Sequence, residues 1–489
     1  MIAQERFKRF YDLSPYFWSY SYNVTSLSDG YLLSGVVLDT NQNYYYNKLT
    51  LVKVDLQGNQ MWERSYGDKN NQFVQDGWNI MLKDSSLYFS SVLVRPNLLT
   101  TSVLLKFNLN GDSLWIKEYL YSLPVTDTTW FCLLGKNTTP DNGFIFTGRQ
   151  SYNGQTSIVL LKTDSLGNEE WRSIMNTATY YSTGYDVVYD DISHKYIITA
   201  VQDTPISTDE LTGIIITTDS LGNKINQSIK TGTNGGYLNQ IIKTDDNNFI
   251  ASGALSTGEP IGSFTKKKHF CIKFDHSGNT IWTREYSISG LFNWLGITKK
   301  LPDGNIILAG SFDTLSNQNL PFNSHFYLQK INQNGDSLWS RSINMVNGEG
   351  KQNLLNGLDL TNDQGFVLTG WFFGTLDSLD KRFCIAKLDE WGCDTVDCQL
   401  TGINENISSS GIFTLLQNPI NNELEIILKD SKIDYNYKII DLKGASIKSG
   451  LINSTIITID ISDINSGIYF LQVGNKRKLQ TEKIVVIKN

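Results

Sequence analysis

Short apolar runs, bounded by turns rich in Asp, Asn and Gly, follow one another from the N-terminus to Cys398. In the first copy such a run leads to Lys53, Asp55, a turn glycine and Trp62. The same order of residues recurs at intervals of 53 to 57 residues, with turn glycines at Gly58, Gly111, Gly167, Gly222, Gly278, Gly335 and Gly392. Apolar runs of this length without helical spacing predict β-strands, and the regular period predicts a repeat architecture.

A second turn lies upstream in every repeat, for example Asp29-Gly30 before a further apolar run. The two turns divide each repeat into four strands, in the first copy near 22–28, 30–38, 49–55 and 60–66. Four antiparallel strands repeated seven times predict a seven-bladed β-propeller, with an open solenoid as the alternative. One Trp per repeat at a fixed register indicates a packing role for Trp62, Trp115, Trp171, Trp282 and Trp339. The fourth repeat departs from the pattern, with Thr217 for Lys and Asn226 for Trp.

The two ends of the repeat region favour a closed ring. The seventh repeat lacks its fourth strand, whereas Phe7-Lys8-Arg9-Phe10-Tyr11 carries that strand's pattern with Phe in the Trp position. Residues 5–11 are therefore expected to complete the last blade, which pairs the first and last repeats as an open array cannot. The predicted fold is all-β: a propeller over residues 1–398 closed by an N-terminal strand, followed by a small C-terminal β-sandwich.

The charge and composition of the chain bear on whether it binds nucleic acid or spans a membrane. The net charge is −7 and the pI is near 5.3, which argues against a nucleic-acid-binding surface. Lys266-Lys267-Lys268 is interpreted as a solvated loop tip. The sequence has no apolar stretch of the roughly 20 residues that span a bilayer. Met1-Ile2-Ala3-Gln4 is either the remnant of a removed signal peptide or a late start.

Candidate chemistry is sparse. Cys393 and Cys398 are close in sequence and are candidates for a disulfide, because disulfides form in the oxidising environment outside the cytoplasm. The four histidines lack metal-ligand spacing, and the sequence contains no nucleophile or phosphate-binding motif, so no catalytic residue, metal or cofactor is predicted. A polysaccharide hydrolase or lyase stays open as the alternative function, since two carboxylates could converge in the central funnel. The carboxylates considered are Asp76, Asp127, Asp186, Glu259 and Asp377.

The loops between strands two and three, and between blades, vary in length and must emerge on one face. Loops on a rigid scaffold carry function, so this variable-loop face is the predicted recognition surface. Its candidate aromatic residues are Tyr44, Tyr45, Tyr46, Tyr121, Tyr180, Tyr181, Trp371, Phe372 and Phe373. Aromatic side chains suit sugar rings or protein anchors, although packing between blades also accounts for such residues. The favoured hypothesis is a monomeric binding module for an extracellular glycan or protein.

The repeat ends at Cys398. Residues 399–410 read as a polar linker, and 411–489 contain strands and turns of a different pattern. This segment carries Asn418-Pro419, the turn from Asp441 to Gly444, the Gly467-Ile468-Tyr469 motif and a basic-apolar ending. These motifs, in this order, resemble the type IX secretion C-terminal sorting domain of Bacteroidota. The resemblance implies the type IX machinery as a partner and a secreted or outer-membrane cell-surface location.

Overall fold

The computed structural model describes residues 5–13, 18–39, 45–74, 80–96, 100–120, 130–175, 180–203, 211–231, 234–261, 264–286, 293–314, 323–346, 352–373, 382–395, 398, 413–415, 420–428, 435–442, 444–452, 454–475 and 479–488. All the named elements in these residues are β-strands. A search of the same residues found no helix of the length and hydropathy needed to cross a membrane. The chain divides into two compact units, Met1–Gly402 and Ile403–Asn489.

The first unit contains seven antiparallel sheets within its described residues, and these are the blades of a β-propeller. Blade 1 is formed by β2 (Trp18–Leu27), β3 (Gly30–Asp39), β4 (Tyr46–Val54) and β5 (Gln60–Tyr66). Blade 2 is formed by β6 (Gln72–Val74), β7 (Ile80–Lys83), β8 (Ser86–Val94), β9 (Thr100–Asn108) and β10 (Ser113–Tyr119). Blade 3 is formed by β11 (Trp130–Thr138), β12 (Phe144–Tyr152), β13 (Gln155–Thr163) and β14 (Glu169–Met175).

The remaining blades repeat this order from an inner to an outer strand. Blade 4 is formed by β15 (Ser182–Asp190), β16 (Lys195–Asp203), β17 (Leu211–Thr218) and β18 (Lys224–Ile229). Blade 5 is formed by β19 (Gly236–Lys243), β20 (Phe249–Ile261), β21 (Phe264–Phe274) and β22 (Thr280–Tyr286). Blade 6 is formed by β23 (Asn293–Lys300), β24 (Ile306–Thr314), β25 (Asn323–Ile331) and β26 (Ser337–Ile343). Blade 7 is formed by β27 (Gln352–Leu360), β28 (Phe366–Phe373), β29 (Phe383–Leu388) and β1 (Phe7–Tyr11).

The N-terminal strand completes blade 7, as the sequence predicts. Strand β1 runs antiparallel to β29, with Phe7 opposite Lys387 and Tyr11 opposite Phe383. Two ion pairs, Arg6–Asp389 at 2.6 Å and Lys8–Asp394 at 2.5 Å, hold the strand in this register. Blade 7 in turn contacts blade 1, where the Phe383 amide donates to Ser19 Oγ. The N-terminal strand is thus joined to blade 7 by backbone pairing, and blade 7 contacts blade 1 through a hydrogen bond to a side chain.

In five of the seven blades, the Lys of the repeat motif joins the two turns of its blade through an ion pair. Asp55 accepts hydrogen bonds from the amides of Gln57 and Asn59, and Gly58 has the positive φ that the turn requires. Lys53 is buried and forms an ion pair with Asp29 of the other turn. The corresponding pairs are Lys162–Asp141, Lys273–Asp246, Lys330–Asp303 and Lys387–Asp363. The motif therefore joins the two turns on one face of the propeller, the turn face.

The recurrent Trp packs on the turn glycine of the next blade. A methyl group added to Gly111 would lie 2.8 Å from the Trp62 ring, so only glycine permits this contact. The same relation holds for Phe7 on Gly58, Trp115 on Gly167, Trp171 on Gly222, Trp282 on Gly335 and Trp339 on Gly392. Six junctions between blades are therefore closed at their outer edge by an aromatic ring on a glycine.

The second unit consists of two antiparallel sheets. One contains β30 (Phe413–Leu415), β31 (Glu423–Leu428) and β34 (Ile456–Asp460). The other contains β32 (Tyr435–Ile440), β33 (Ser446–Ile452), β35 (Gly467–Gly474) and β36 (Leu479–Val486). Their apolar side chains, among them Leu424, Ile439, Leu471 and Ile484, form one buried core. The two-sheet arrangement agrees with the predicted strands.

Candidate functional site

The innermost strand of a propeller blade lines the central channel, and a β-bulge interrupts this strand in at least six blades. The register shifts lie at Ser21/Asn23, Leu133/Gly135, Gly184/Asp186, Leu238/Gln240, Leu295/Ile297 and Leu355/Gly357. A bulge disturbs the hydrogen-bonded ladder, so some amides need other acceptors. Side chains of neighbouring blades supply them: Asp186 accepts from the Ile241 amide, and Gln240 from the Thr298 amide.

Three tyrosines and two cations gather where blades 3, 4 and 5 meet near the variable loops. Tyr181 and Tyr185 belong to blade 4, and both pack against a buried apolar cluster that contains Tyr237 of blade 5. The guanidinium of Arg149 lies 5.9 Å from the Tyr181 ring centre and donates a 2.7 Å hydrogen bond to its hydroxyl. Lys267 Nζ lies 5.0 Å from the ring centre of Tyr237. We call these five residues the tyrosine cluster.

Burial raises the hydroxyl pKa of both Tyr185 and Tyr237 above the ordinary range for tyrosine. Both phenols therefore stay neutral and can donate hydrogen bonds over the physiological pH range. Arg149 opposes the rise at Tyr185 through its positive charge. Tyr237 is buried, whereas Tyr181, Tyr185 and the two cations are partly exposed. The cluster thus presents two partly exposed phenols beside Arg149 and Lys267, a set of groups suited to a polar ligand with apolar faces.

The aromatic residues predicted for this face divide into two groups. Tyr45 and Tyr180 are 72% and 60% exposed. Trp371 packs edge-on against Tyr20, and Phe372 against Phe10 of the closing strand, which supports a structural role for both. Tyr46 is half-buried beneath Lys48, and Tyr181 joins the tyrosine cluster. Tyr44, Tyr121 and the side chain of Phe373 lie outside the described residues.

The sequence patterns did not mark Arg149, Tyr185 or Tyr237 as functional residues, and Lys267 was noted only as part of a short basic run. Tyr185 and Tyr237 each follow a glycine near the start of an inner strand, and this was the one available signal. The interpretation of Lys266-Lys267-Lys268 as a loop tip was wrong, because these residues lie within β21 and pair with β20. An extended β20–β21 hairpin carries Lys267 back over the Tyr237 ring.

Two cavities open between the inner strands near the turn face. One, of about 210 Å³, lies between blades 1, 2, 6 and 7, and its charged groups form the Lys299–Asp359 ion pair at 2.6 Å. The other, of about 540 Å³, is lined by blades 3 to 6 and contains the Lys243–Asp191 pair at 2.5 Å. The charges lining the first cavity cancel, whereas the second is also lined by Lys300, whose partner Asp245 lies outside the lining.

Two buried ionisable groups, Asp186 and Lys136, contact residues of a neighbouring blade. Burial raises the pKa of Asp186 to about 7 and lowers the pKa of Lys136 to about 7. Asp186 binds an amide of blade 5, whereas Lys136 lies 3.4 Å from Ser90 Oγ of blade 2. The two groups therefore contact different neighbouring blades.

The other carboxylates of the hydrolase hypothesis are not assembled by the described residues. Glu259 is exposed beside Lys266, at 3.4 Å. Asp76, Asp127 and Asp377 lie outside the described residues. A search of the described part of the chain for three or more His, Cys, Asp or Glu side chains that could share a metal ion found none.

Cys393 and Cys398 form a disulfide, with a Cα–Cα distance of 5.6 Å. It follows directly after the last turn of blade 7, in which Asp389 accepts the Cys393 amide. Cys132, Cys271 and Cys384 are buried within strands and take no part in this disulfide, in keeping with their apolar flanks.

Comparison with known families distinguishes the two units. Residues 417–488 match the secretion system C-terminal sorting domain. The C-terminal unit is a type IX secretion sorting domain. Its presence implies secretion or attachment to the cell surface. No curated protein matches the chain.

The sorting domain retains three of its four sequence marks within the described residues. Gly444 closes a turn onto the Asp441 carbonyl at 3.0 Å, and the Asp441 carboxylate accepts the Ala445 amide. Gly467 and Tyr469 begin β35, where the Tyr469 hydroxyl donates to the Asn465 carbonyl. The basic-apolar ending forms β36, and Lys488 Nζ donates to the carbonyls of Asn421 and Ile461. Asn418 and Pro419 lie outside the described residues.

Solved structures similar to this chain include β-propellers at low identity. The β-propeller domain of the Trilobed protease from Pyrococcus furiosus is 11% identical, with a TM-score of 0.40, and the match covers 77% of this chain and 99% of that one. A puromycin-hydrolyzing peptidase of Mycobacterium tuberculosis is 10% identical, with a TM-score of 0.44 and coverages of 83% and 57%. Drosophila Plexin A in complex with Semaphorin 1b is 6% identical, with a TM-score of 0.40, and the match covers 78% of this chain and 86% of that one. Likenesses this remote carry no argument about activity.

Proposed function

We propose that the propeller is an extracellular glycan-binding module, exported by means of its sorting domain, with the tyrosine cluster as its binding surface. The observation that carries the proposal is the convergence of Tyr181, Tyr185 and Tyr237 from two adjacent blades, with Arg149 and Lys267 against the rings. Aromatic rings pack against the apolar faces of sugars, and hydroxyl and cationic donors bind their oxygen atoms.

The position of the cluster supports binding by a preformed surface. Tyr185 and Tyr237 lie on inner strands of neighbouring blades, so the sheet framework holds their spacing. Tyr181 is anchored through its amide, which donates to the Asp203 carboxylate at 2.7 and 2.9 Å. Side chains ordered before binding lose little conformational entropy when a ligand arrives.

A glycan array probed with the full chain, followed by calorimetric titration of the best ligand, tests the proposal. We expect Tyr181→Ala to weaken binding by about tenfold or more, because it removes both an aromatic face and the partner of Arg149. Tyr180→Ala is the matched control: the neighbouring tyrosine is 60% exposed, and its loss should change affinity less than about twofold.

Three results would count against the proposal. Equal affinity of the Tyr181→Ala and Tyr180→Ala variants would place the ligand elsewhere. Binding of extracellular proteins with no glycan bound would favour a protein ligand. Steady release of reducing ends from a polysaccharide would establish the hydrolase or lyase alternative.

A further inference from the structure

The junction between blades 4 and 5 lacks the aromatic ring that closes the other six junctions. Asn226 pairs with Thr217 across β17 and β18, in the register where Trp171 pairs with Lys162 in blade 3. Among the described residues, a methyl group added at Gly278 would meet no atom within 4 Å, whereas at each of the six other turn glycines it would meet an aromatic ring. Gly278 is also partly exposed, while its six counterparts are buried.

A second element of the closure is missing as well. In five junctions the residue two positions after the ring is Arg or Lys, and its side chain lies over that ring: Arg9, Arg64, Lys117, Arg284 and Arg341. Blade 4 has Ser228 at this position. Ring and cation are thus both absent, and an open slot remains beside Gly278.

The walls of the slot are polar and charged. Lys230 Nζ donates to the Gly278 carbonyl at 2.7 Å, in the place of the tyrosine hydroxyl that Tyr286 provides at the next junction. His276 Nδ1 lies 2.6 Å from the Asp190 carboxylate and joins the same turn to blade 4. These contacts hold the two blades together without covering Gly278. The turn backbone that an aromatic ring covers at the other six junctions is therefore present here as well.

We propose that this slot is a docking site for an aromatic side chain of a partner protein, presented on an extended segment that lies along β18. The occupant follows from continuity with the interface that this chain builds six times, in which an aromatic ring covers the turn glycine. Strand β18 is the outer edge of its sheet, and an extended segment can add to such an edge. Side chains directly opposite in paired strands share a face, so an aromatic residue opposite Asn226 would lie on the side of Gly278.

The probe is a fluorescein-labelled peptide copying Thr280–Tyr286, the outer strand of blade 5, titrated with the full chain and followed by anisotropy. We expect saturable binding that falls by about tenfold or more when Ala replaces Trp in the peptide. Asn226→Trp should weaken binding to a similar degree, because the introduced ring fills the slot. Ile225→Trp is the matched control, since Ile225 is 54% exposed on the opposite face of β18, and it should leave affinity within about twofold.

Equal binding of the peptide to wild type and a folded Asn226→Trp variant would overturn the proposal, as would the absence of saturation at millimolar peptide. If Asn226→Trp does not fold, the proposal is tested by the two peptides on the wild-type chain: equal affinity for the Trp and Ala peptides would overturn it. Self-association of the wild-type chain that Asn226→Trp abolishes in sedimentation would assign the slot to a second copy and contradict a partner protein.

Discussion

The junctions between blades 4 and 5 and between blades 5 and 6 share a backbone but differ in chemistry. At the 5/6 junction, Trp282 covers Gly335, its indole donates to the Gln333 carbonyl, and Arg284 lies over the ring. At the 4/5 junction, a histidine–carboxylate hydrogen bond, a lysine and a buried carboxylate connect the blades. One repeat can thus be closed by ring packing or by polar contacts, and the two should respond differently to mutation and pH.

The largest difference is expected on removal of the outer-strand side chain. Trp282→Ala deletes a half-buried ring and exposes the turn of blade 6, so it should lower the free energy of unfolding by about 2–4 kcal/mol. Asn226→Ala removes only an exposed amide and should stay within about 0.5 kcal/mol of wild type. Urea denaturation of both variants measures this. Similar losses in the two would mean that the junctions are equivalent.

The turn glycines provide the next comparison. Gly278 and Gly335 have the same positive φ of 82°, so alanine at either position adds about 1 kcal/mol of backbone strain. At Gly335 the new methyl group would also lie 2.7 Å from Arg284 and 3.1 Å from the Trp282 ring. Gly335→Ala should therefore cost about 2–3 kcal/mol and Gly278→Ala about 1 kcal/mol in the same denaturation assay. An equal loss of stability in the two variants would show that the backbone φ alone determines the cost of the substitution.

Asp186 should make the 4/5 junction sensitive to pH. Burial raises the pKa of Asp186 to about 7. In an unfolded chain the pKa of an Asp side chain is about 4. Between about pH 4 and pH 7 the folded chain holds more protons than the unfolded chain, so this contribution to stability falls as pH rises. Asp186→Asn keeps an acceptor for the Ile241 amide and should be about 2 kcal/mol more stable than wild type at pH 8.

At about pH 3 the advantage of Asp186→Asn should largely vanish, because that pH lies below both pKa values and the carboxyl group is then mostly protonated in both states. Gln240 accepts the Thr298 amide at the 5/6 junction without a charge, and Gln240→Glu should introduce the same pH dependence there. A pH-independent difference between Asp186→Asn and wild type would show that Asp186 is not titrating.

The smallest effect is expected at the turn face of the 4/5 junction. Burial alone would raise the pKa of Asp190, but hydrogen bonds from Ser193, His276 and the Ile192 amide hold it below its usual range. His276→Ala removes one of these donors and should cost about 1 kcal/mol near neutral pH. Because a lowered carboxyl pKa stabilises the fold only above its unfolded value, the cost should shrink as the pH falls below about 4. Thermal unfolding at pH 7 and pH 3 measures it, and a constant cost would contradict the hydrogen-bonded role.

The sequence alone determined the strands, the seven-fold repeat, the closing strand and the sorting domain. Each rests on local patterns: Gly58 and its counterparts mark turns whose geometry depends on neighbouring residues, and Phe7-Lys8-Arg9-Phe10-Tyr11 repeats the outer-strand pattern. The missing Trp and Lys of blade 4 were also visible in the sequence as Asn226 and Thr217. Their consequence was not, because the surface that the ring covers belongs to the next blade.

Only the tertiary structure decided which side chains of different blades meet. Arg149 and Tyr181 are joined across blades 3 and 4, and Asp190 and His276 across blades 4 and 5. Such contacts depend on how far each sheet twists and on where each inner strand has its bulge. Neither feature produces a recognisable periodic pattern in the sequence. The extended β20–β21 hairpin that brings Lys267 to Tyr237 is of the same kind, since packing between blades sets its direction.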